Sequence, residues 1–504
     1  MSVRPSHHRW LPTAAITAVL GLVLSGCSTP TPQAPTEPSQ LGSGLETYYE
    51  QELTWDSCGS IIECATVQVP LDYSEPEGES IELALNRRSA QDSEKNLLVN
   101  PGGPGGSGLD LVTSSVPLMF SNELQREYSI IGFDPRGVGR STPISCLSDG
   151  QRDAAREKNL RSWVKEDRDE IREESKKYAQ ACQENSGDLL GHVDTVSAAK
   201  DMDIIRAALG DGELNYLGYS YGTFLGATYA NLFPASTGRF VLDGALDPKS
   251  GATQVDQAQA VGFEGEITAW LEDCLGTESC PFTGSVDEAR GQLHDFLESV
   301  EEQPLESSDG RTVPIIDFIN GFIVPLYDNS TWPMLSTAMA DAMEGDVDMI
   351  LMFADLTANR QSDGSYSSNS SEVFGAINCL DRPMDAAEAR MEAEAQELQR
   401  VAPTLGKYLS YGALGCEYWP YDATGRPGEL NATGAGDILV IGTTGDPATP
   451  YQWAESLARQ LDGGMLLTYE GHGHTAYGRS NDCITQAVDG YLIDGELPQE
   501  GTRC

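Results

Sequence analysis

The chain has 504 residues, 39% of them hydrophobic, which is enough for one large domain with an insertion or for two domains, and too polar for a multi-span membrane protein. Its formal charge is −45. So acidic a surface repels phosphate backbones and anionic headgroups, which argues against nucleic acid as a partner. Solubility or salt tolerance accounts for such a surface; a local acidic patch that attracts cationic substrate ends is the functional alternative.

Arg4, His7, His8 and Arg9 make a basic start ahead of an apolar run over residues 11–24. That run is too short for a comfortable membrane span and has the length of a signal-peptide core. It ends in Leu24-Ser25-Gly26-Cys27, which resembles the bacterial lipobox, where the cysteine thiol is acylated and the chain is cut just before it. Residues 1–26 are therefore expected to be a lipoprotein signal peptide, with an ordinary signal peptide and a chance cysteine as the alternative. Several acyl chains on one cysteine anchor firmly, whereas a single chain is marginal. Residues 27–44, rich in Pro, Ser and Thr, read as the lipidated Cys27 and a flexible tether. The expected location is the outer face of a bacterial cell membrane.

Cysteine usage supports export. Setting Cys27 aside leaves ten of eleven cysteines, an even number suited to an oxidising compartment. A sequential scheme pairs Cys58 with Cys64, Cys146 with Cys182, Cys274 with Cys280, Cys379 with Cys416, and Cys483 with Cys504; spacing alone does not decide connectivity. Zinc is the competing reading, but no CxxC occurs and histidines are few. Neither a metal nor a cofactor is expected.

Along the chain, short apolar runs end in glycine-rich turns. Residues 96–99 lead into the run 100–106, 128–133 into Asp134-Pro135-Arg136-Gly137, 214–218 into Ser220, and 239–242 into Asp243-Gly244. A helix with Thr195 as N-cap, apolar at Met202, Ile205, Ala208 and Leu209, ends at Gly210. Another follows Ser220 and closes at Pro234. Strands alternating with helices indicate an α/β fold with a mostly parallel sheet. The pattern lapses over 248–436, where helical stretches such as 332–356 and 384–400 dominate, and resumes at 437–442, near 451–461 and at 465–469. The expected organisation is a catalytic core over 45–247 and 437–504 interrupted by a largely helical lid, 248–436. Residues 147–190 read as a smaller excursion.

Gly218-Tyr219-Ser220-Tyr221-Gly222 matches G-x-S-x-G, following a strand and opening a helix, as a nucleophile elbow requires. The fold class is thus the α/β-hydrolase fold, with Ser220 as nucleophile. Of six histidines, four lie beyond the leader: His192, His294, His472 and His474. The chain order serine, acid, histidine excludes His192, and His294 falls in the lid. His474 in Gly471-His472-Gly473-His474 is the expected base, with His472 beside it or on the surface. Asp446, in the turn after the strand 438–441, is the expected acid; Asp243 is its rival. The first oxyanion donor is the N–H of Tyr221, and the glycine run 102–106 supplies the second, because glycine lets backbone approach a substrate. A P-loop reading of that run fails, since no Gly-Lys-Ser/Thr follows.

Pro101-Gly102-Gly103-Pro104-Gly105, Asp134-Pro135-Arg136-Gly137-Val138-Gly139-Arg140-Ser141, Gly218-Tyr219-Ser220-Tyr221-Gly222-Thr223, Asp446-Pro447 and Gly473-His474 occur in that order. Together they resemble the proline-iminopeptidase-like serine peptidases, and within them the secreted actinobacterial tripeptidyl aminopeptidases, many of which are lipoproteins. The resemblance spans residues 45–504. One departure is Pro101, where proline iminopeptidases usually carry histidine, so strict proline specificity is not expected. By its place in the motif, Gly103 is the second oxyanion donor. The resemblance implies release of short peptides, expected to be tripeptides, from free N-termini through an acyl-enzyme. Such an exopeptidase must neutralise the substrate's α-ammonium. Asp381 in the lid, beside a Cys379 disulfide that would hold it rigid, is the candidate. A carboxylesterase or lipase using the same triad is the alternative function, and a non-catalytic envelope-binding lipoprotein is a third.

Overall fold

A computed structural model describes residues 44–91 and 93–504. The leader, Cys27 and nearly all of the expected tether lie outside the described residues. No helix among the described residues is long and apolar enough to cross a membrane.

The sheet has nine strands in the order β1-β2-β3-β5-β4-β6-β7-β10-β11. β1 (Asp56–Ser57), β2 (Glu63–Pro70) and β3 (Ser80–Arg88) form an antiparallel flank on β5 (Ser129–Phe133). From β5 onward every neighbour is parallel, through β4 (Asn96–Asn100), β6 (Leu214–Tyr219), β7 (Thr237–Asp243), β10 (Ile438–Gly445) and β11 (Gly464–His472). These strands read as continuous apolar runs because both faces are covered. Leu98, Tyr216, Phe240 and Val440 face one core, with Met202, Leu225 and Leu457. Their neighbours Leu97, Leu217, Val241 and Leu439 face the other, with Val112, Ile484 and Val488.

The helix α1 (Thr195–Ala208) precedes β6 and α2 (Tyr221–Leu232) follows it. Its N-cap is Asp194, which accepts from Ser197 N–H, while Thr195 is its first helical residue; this corrects the expected cap by one position. β7 and β10 are hydrogen-bonded neighbours although 194 residues, 244–437, separate them in sequence. That stretch forms α3 (Ala252–Leu275), α4 (Val286–Glu302), the small hairpin β8–β9 (Leu305–Glu306 with Thr312–Val313), α5 (Ile315–Ile323), α6 (Trp332–Met343), α7 (Asp348–Ala358), α8 (Ser370–Asp381) and α9 (Glu388–Val401). The expected single stretch 332–356 is two helices, broken where Gly345 takes φ +99°. α3 to α7 close over their own core, in which Trp270 meets the edges of Phe282 and Phe322, while α8 packs onto the sheet's core through Val373, Ile377 and Leu380.

The excursion over 147–190 belongs with these lid helices. Arg156 bonds Asp317 and Asp355, Arg152 pairs with Glu372, and Trp163 packs edge-on against Tyr408. The cysteines pair in the sequential scheme: Cys58–Cys64, Cys146–Cys182, Cys274–Cys280, Cys379–Cys416 and Cys483–Cys504. Arg136 of the Asp-Pro-Arg-Gly motif is wholly buried and paired through two nitrogens with Asp201, its other hydrogens going to the carbonyls of Pro70, Leu71 and His192. That motif is a brace for the sheet's flank, since breaking such a pair would leave an uncompensated buried charge.

Candidate active site

Ser220 sits at the turn from β6 into α2 with φ 55° and ψ −122°, a region that a non-glycine residue occupies only when its surroundings impose it. Its neighbours explain the two glycines of the pentapeptide. A Cβ on Gly218 would lie 2.4 Å from the Gly222 carbonyl oxygen, and one on Gly222 would lie 2.8 Å from Asn100 Oδ1. The serine's own N–H donates to the Asp243 carbonyl at 2.8 Å, and its carbonyl accepts from Thr223 N–H at 2.8 Å and Thr223 Oγ1 at 2.6 Å. The elbow is thereby tied to β7 and to the helix it opens.

Tyr221 is the first residue of α2, so the helix leaves its N–H without an internal acceptor and adds the positive end of its dipole. The glycine loop after β4 lies directly on this turn. A Cβ on Gly102 would be 2.5 Å from the Tyr219 carbonyl oxygen, 2.9 Å from Ser220 Cβ and 3.2 Å from Tyr221 N. Gly102 and Gly103 have φ of +93° and +110°, and Gly102 N–H is fixed by Asn100 Oδ1 at 2.9 Å. Gly103 and Tyr221 both line the cleft that contains Ser220.

β10 and β11 deliver the other two residues. His474 Nδ1 lies 2.9 Å and 3.0 Å from the two oxygens of Asp446. Asp446 is buried, and its carboxylate also accepts from the N–H groups of Ala448, Thr449 and Thr475 and from Thr449 Oγ1. So surrounded by donors, it is held as an acceptor. That fixes the proton on Nδ1 and leaves the Nε2 lone pair as the basic site. The rival Asp243 has a different task. It is fully buried, pushed up to about 6 by burial, and accepts from Ala476 and Tyr477 N–H, which clamps the chain just beyond the histidine. His472 Nδ1 lies 2.8 Å from Glu266 of α3, whose hydrogen bond raises the imidazole above its ordinary value.

The cleft beside Ser220 has a volume of about 240 Å³. Phe374, Asn378, Arg382 and Met384 of the lid form one wall, and Ala252, Val255, Asp256 and Gln259 of α3 form another. Asp256 lines this cleft and is exposed. Although it is exposed, desolvation by the surrounding protein, with the charge of Glu394 added, raises its carboxyl to about 6, and none of the described residues hydrogen-bonds it. A second hollow, of about 310 Å³, adjoins the first through Ala252, Asp256, Met384 and Gly412. Asp381 is not on this wall. It is buried, with one oxygen accepting from Thr195 N–H at 2.9 Å and the other from Thr195 Oγ1 at 2.6 Å. The expectation that Asp381 meets the substrate amine is corrected accordingly: its oxygens are already engaged, and the cleft-wall acid is Asp256.

Residues 402–504 match the family described as "TAP-like protein". Over 454 residues the chain is 36% identical to "Serine protease Hip1" of Mycobacterium tuberculosis, spanning 88% of this chain and 87% of that one. It is 35% identical over 516 residues to "Carboxylesterase B" of the same species, spanning 98% of each. It is 30% identical over 467 residues to "Tripeptidyl aminopeptidase" of Streptomyces coelicolor, spanning 90% of this chain and 86% of that one. The chain is a TAP-like α/β-hydrolase. These relatives and the fold together make it a serine hydrolase.

Several residues of this α/β-hydrolase site carry no signal in the sequence. Three belong to α3, whose successive turns lie along the acid's loop: Gln259 donates to the Ala448 carbonyl, Gly262 is so close that a Cβ would be 2.5 Å from the Pro447 oxygen, and Glu266 reaches His472. Tyr327, between α5 and α6, accepts His474 N–H at 2.8 Å and sets its ring edge-on to the imidazole. Arg479 bonds the carbonyls of His472, His474 and Thr475. The spacing 259, 262 and 266 puts the three on one face of α3.

Proposed function

We propose that this TAP-like α/β-hydrolase is a serine exopeptidase that releases short peptides, tripeptides in the first instance, from the free N-termini of extracellular peptides. Ser220 Oγ attacks the scissile carbonyl carbon while His474 Nε2 takes its proton. The N–H groups of Tyr221 and Gly103 receive the developing oxyanion, each such donor being worth roughly 3 kcal/mol in the transition state. The imidazolium, stabilised by Asp446, passes the proton to the leaving amine. Water then hydrolyses the acyl-enzyme by the same route in reverse, with His474 as its base.

The observation that carries the exopeptidase reading is Asp256, a carboxylate with no hydrogen-bond partner among the described residues, on the wall of the cleft that holds Ser220. An α-ammonium entering such a cleft loses its water and needs a carboxylate, since an unpaired buried charge is costly. N-acetylated tripeptide amides are therefore expected to be much poorer substrates than the free-amine forms, mainly in kcat/KM. Asp256→Asn should close that gap by impairing only the free-amine substrate. Equal hydrolysis of blocked and free peptides by the wild type would overturn the reading.

The carboxylesterase relative at 35% identity favours a second reading, in which the same triad cleaves acyl esters. A panel of aminoacyl, dipeptidyl and tripeptidyl amides beside acyl esters separates the two. For location we propose export and attachment through lipids on Cys27. Cys27→Ser should release the protein from membranes with its solution kinetics unchanged, and an unmodified Cys27 on the mature protein would refute lipidation.

A further inference from the structure

The side chain of Tyr221 takes no part in the chemistry above, yet it is fully buried and ends in a polar chain. Its phenol oxygen lies 2.5 Å from Thr195 Oγ1, at the start of α1. Thr195 Oγ1 donates to Asp381 Oδ2 at 2.6 Å, and Thr195 N–H donates to Asp381 Oδ1 at 2.9 Å. A threonine hydroxyl has one hydrogen to give, and here the carboxylate receives it, so the Tyr221 O–H donates to Thr195. Asp381 ends α8, the helix that brings Phe374 and Asn378 to the cleft, and precedes Arg382, also on the cleft wall. Burial pushes the Asp381 carboxyl up to about 6, so the site carries a real desolvation cost. A phenylalanine would fill the same space in this core with no polar atom to satisfy. The phenol needs a reason to be there.

The Ser220–Tyr221 peptide supplies one. Its carbonyl end is pinned by Thr223 N–H and Oγ1, as described above. Its N–H end has no helical acceptor, and the preceding residue has φ 55°, so regular helix geometry does not set the direction of that N–H. The phenol anchor is the second hold on Tyr221.

We propose that Thr195 and Asp381 are positioning residues for the oxyanion hole, holding the Tyr221 side chain so that its backbone N–H points at the developing oxyanion. This rests on the reading of Tyr221 N–H as an oxyanion donor. It gives Asp381 a task distinct from substrate binding, and it joins the lid's cleft wall to the donor through three side chains.

Thr195→Val removes the hydroxyl at nearly constant shape, Thr195→Ser keeps it and removes a methyl, and Tyr221→Phe removes only the phenol oxygen. With a small acyl ester as substrate, Thr195→Val and Tyr221→Phe should lower kcat about tenfold, within the range for a misdirected donor, with KM nearly unchanged. Thr195→Ser should stay near wild type. A peptidyl boronate, whose adduct is tetrahedral, should bind both hydroxyl-deleted variants more weakly by about the same factor. If the serine variant is as impaired as the valine one, the contact is packing and the proposal falls. It falls equally if Thr195→Val and Tyr221→Phe both keep wild-type kcat, and the second of these variants decides if the first does not fold. Loss of wild-type turnover in Ser220→Ala, measured alongside, tests the serine-hydrolase reading separately.

Discussion

Gly102→Ala is a sharp test of how the glycine loop and the nucleophile elbow fit. The added methyl would sit 2.5 Å from the Tyr219 carbonyl oxygen and 2.9 Å from Ser220 Cβ, both on backbone-fixed parts of the elbow. Ordinary contact between such atoms begins about 1 Å further out, so the loop or the elbow must retreat by roughly that much. A misplacement of about 1 Å near the reacting atoms can cost about 100-fold in rate. The positive φ of +93° adds strain of about 1–2 kcal/mol in stability for any residue with a Cβ. Gly210→Ala isolates that second effect, because Gly210 has φ +79° with open space around it and lies ahead of β6, whereas Ser220 follows that strand. Initial rates on a small acyl ester, with active sites counted by fluorophosphonate titration, should show kcat down about 100-fold for Gly102→Ala and unchanged for Gly210→Ala. Thermal melts should show a loss for both. If Gly102→Ala keeps kcat within about threefold, the loop does not press on the elbow as described, and the reasoning from close approach fails.

Asp446→Asn should lower kcat by about 10,000-fold with the fold intact, since it removes the acceptor that sets the imidazole's tautomer, whereas Asp243→Asn should act mainly on stability; the reverse pattern would exchange their roles. The His472–Glu266 pair makes a pH prediction with a definite sign. The imidazole is raised in the folded protein, so its contribution to stability is fully present below the unfolded value of about 6.5 and is lost as pH rises through the higher folded value. Melting temperature should therefore fall across that window in the wild type, and the fall should be smaller in Glu266→Gln. Equal slopes in the two proteins would remove the pair from the stability of the lid contact.

The residues that were legible in the sequence are those whose chemistry needs a fixed local order. Ser220 announces itself because an elbow needs glycine two places either side, and Gly218 and Gly222 are both at backbone contact. His474 and Asp446 follow from chain order and from loops at the ends of β10 and β11. Asp381 was misread because a lid aspartate beside a disulfide looks the same in sequence whether it faces the cleft or Thr195. Asp256 was invisible for the converse reason. It lies on a polar-looking turn of α3, and only the packing of α3 against the serine's cleft makes it distinctive. Likewise Tyr327 holds His474 through a backbone carbonyl, which no side-chain pattern encodes.

The central claim is that Ser220 is the residue acylated in turnover. The direct measurement is intact-protein and peptide mass spectrometry after reaction with a fluorophosphonate, on wild type, Ser220→Ala and His474→Ala. The expected result is a single adduct on Ser220 in the wild type, none in Ser220→Ala, and greatly slowed labelling in His474→Ala, with all three melting alike. An adduct on another residue, or labelling and turnover that persist in Ser220→Ala, would contradict it.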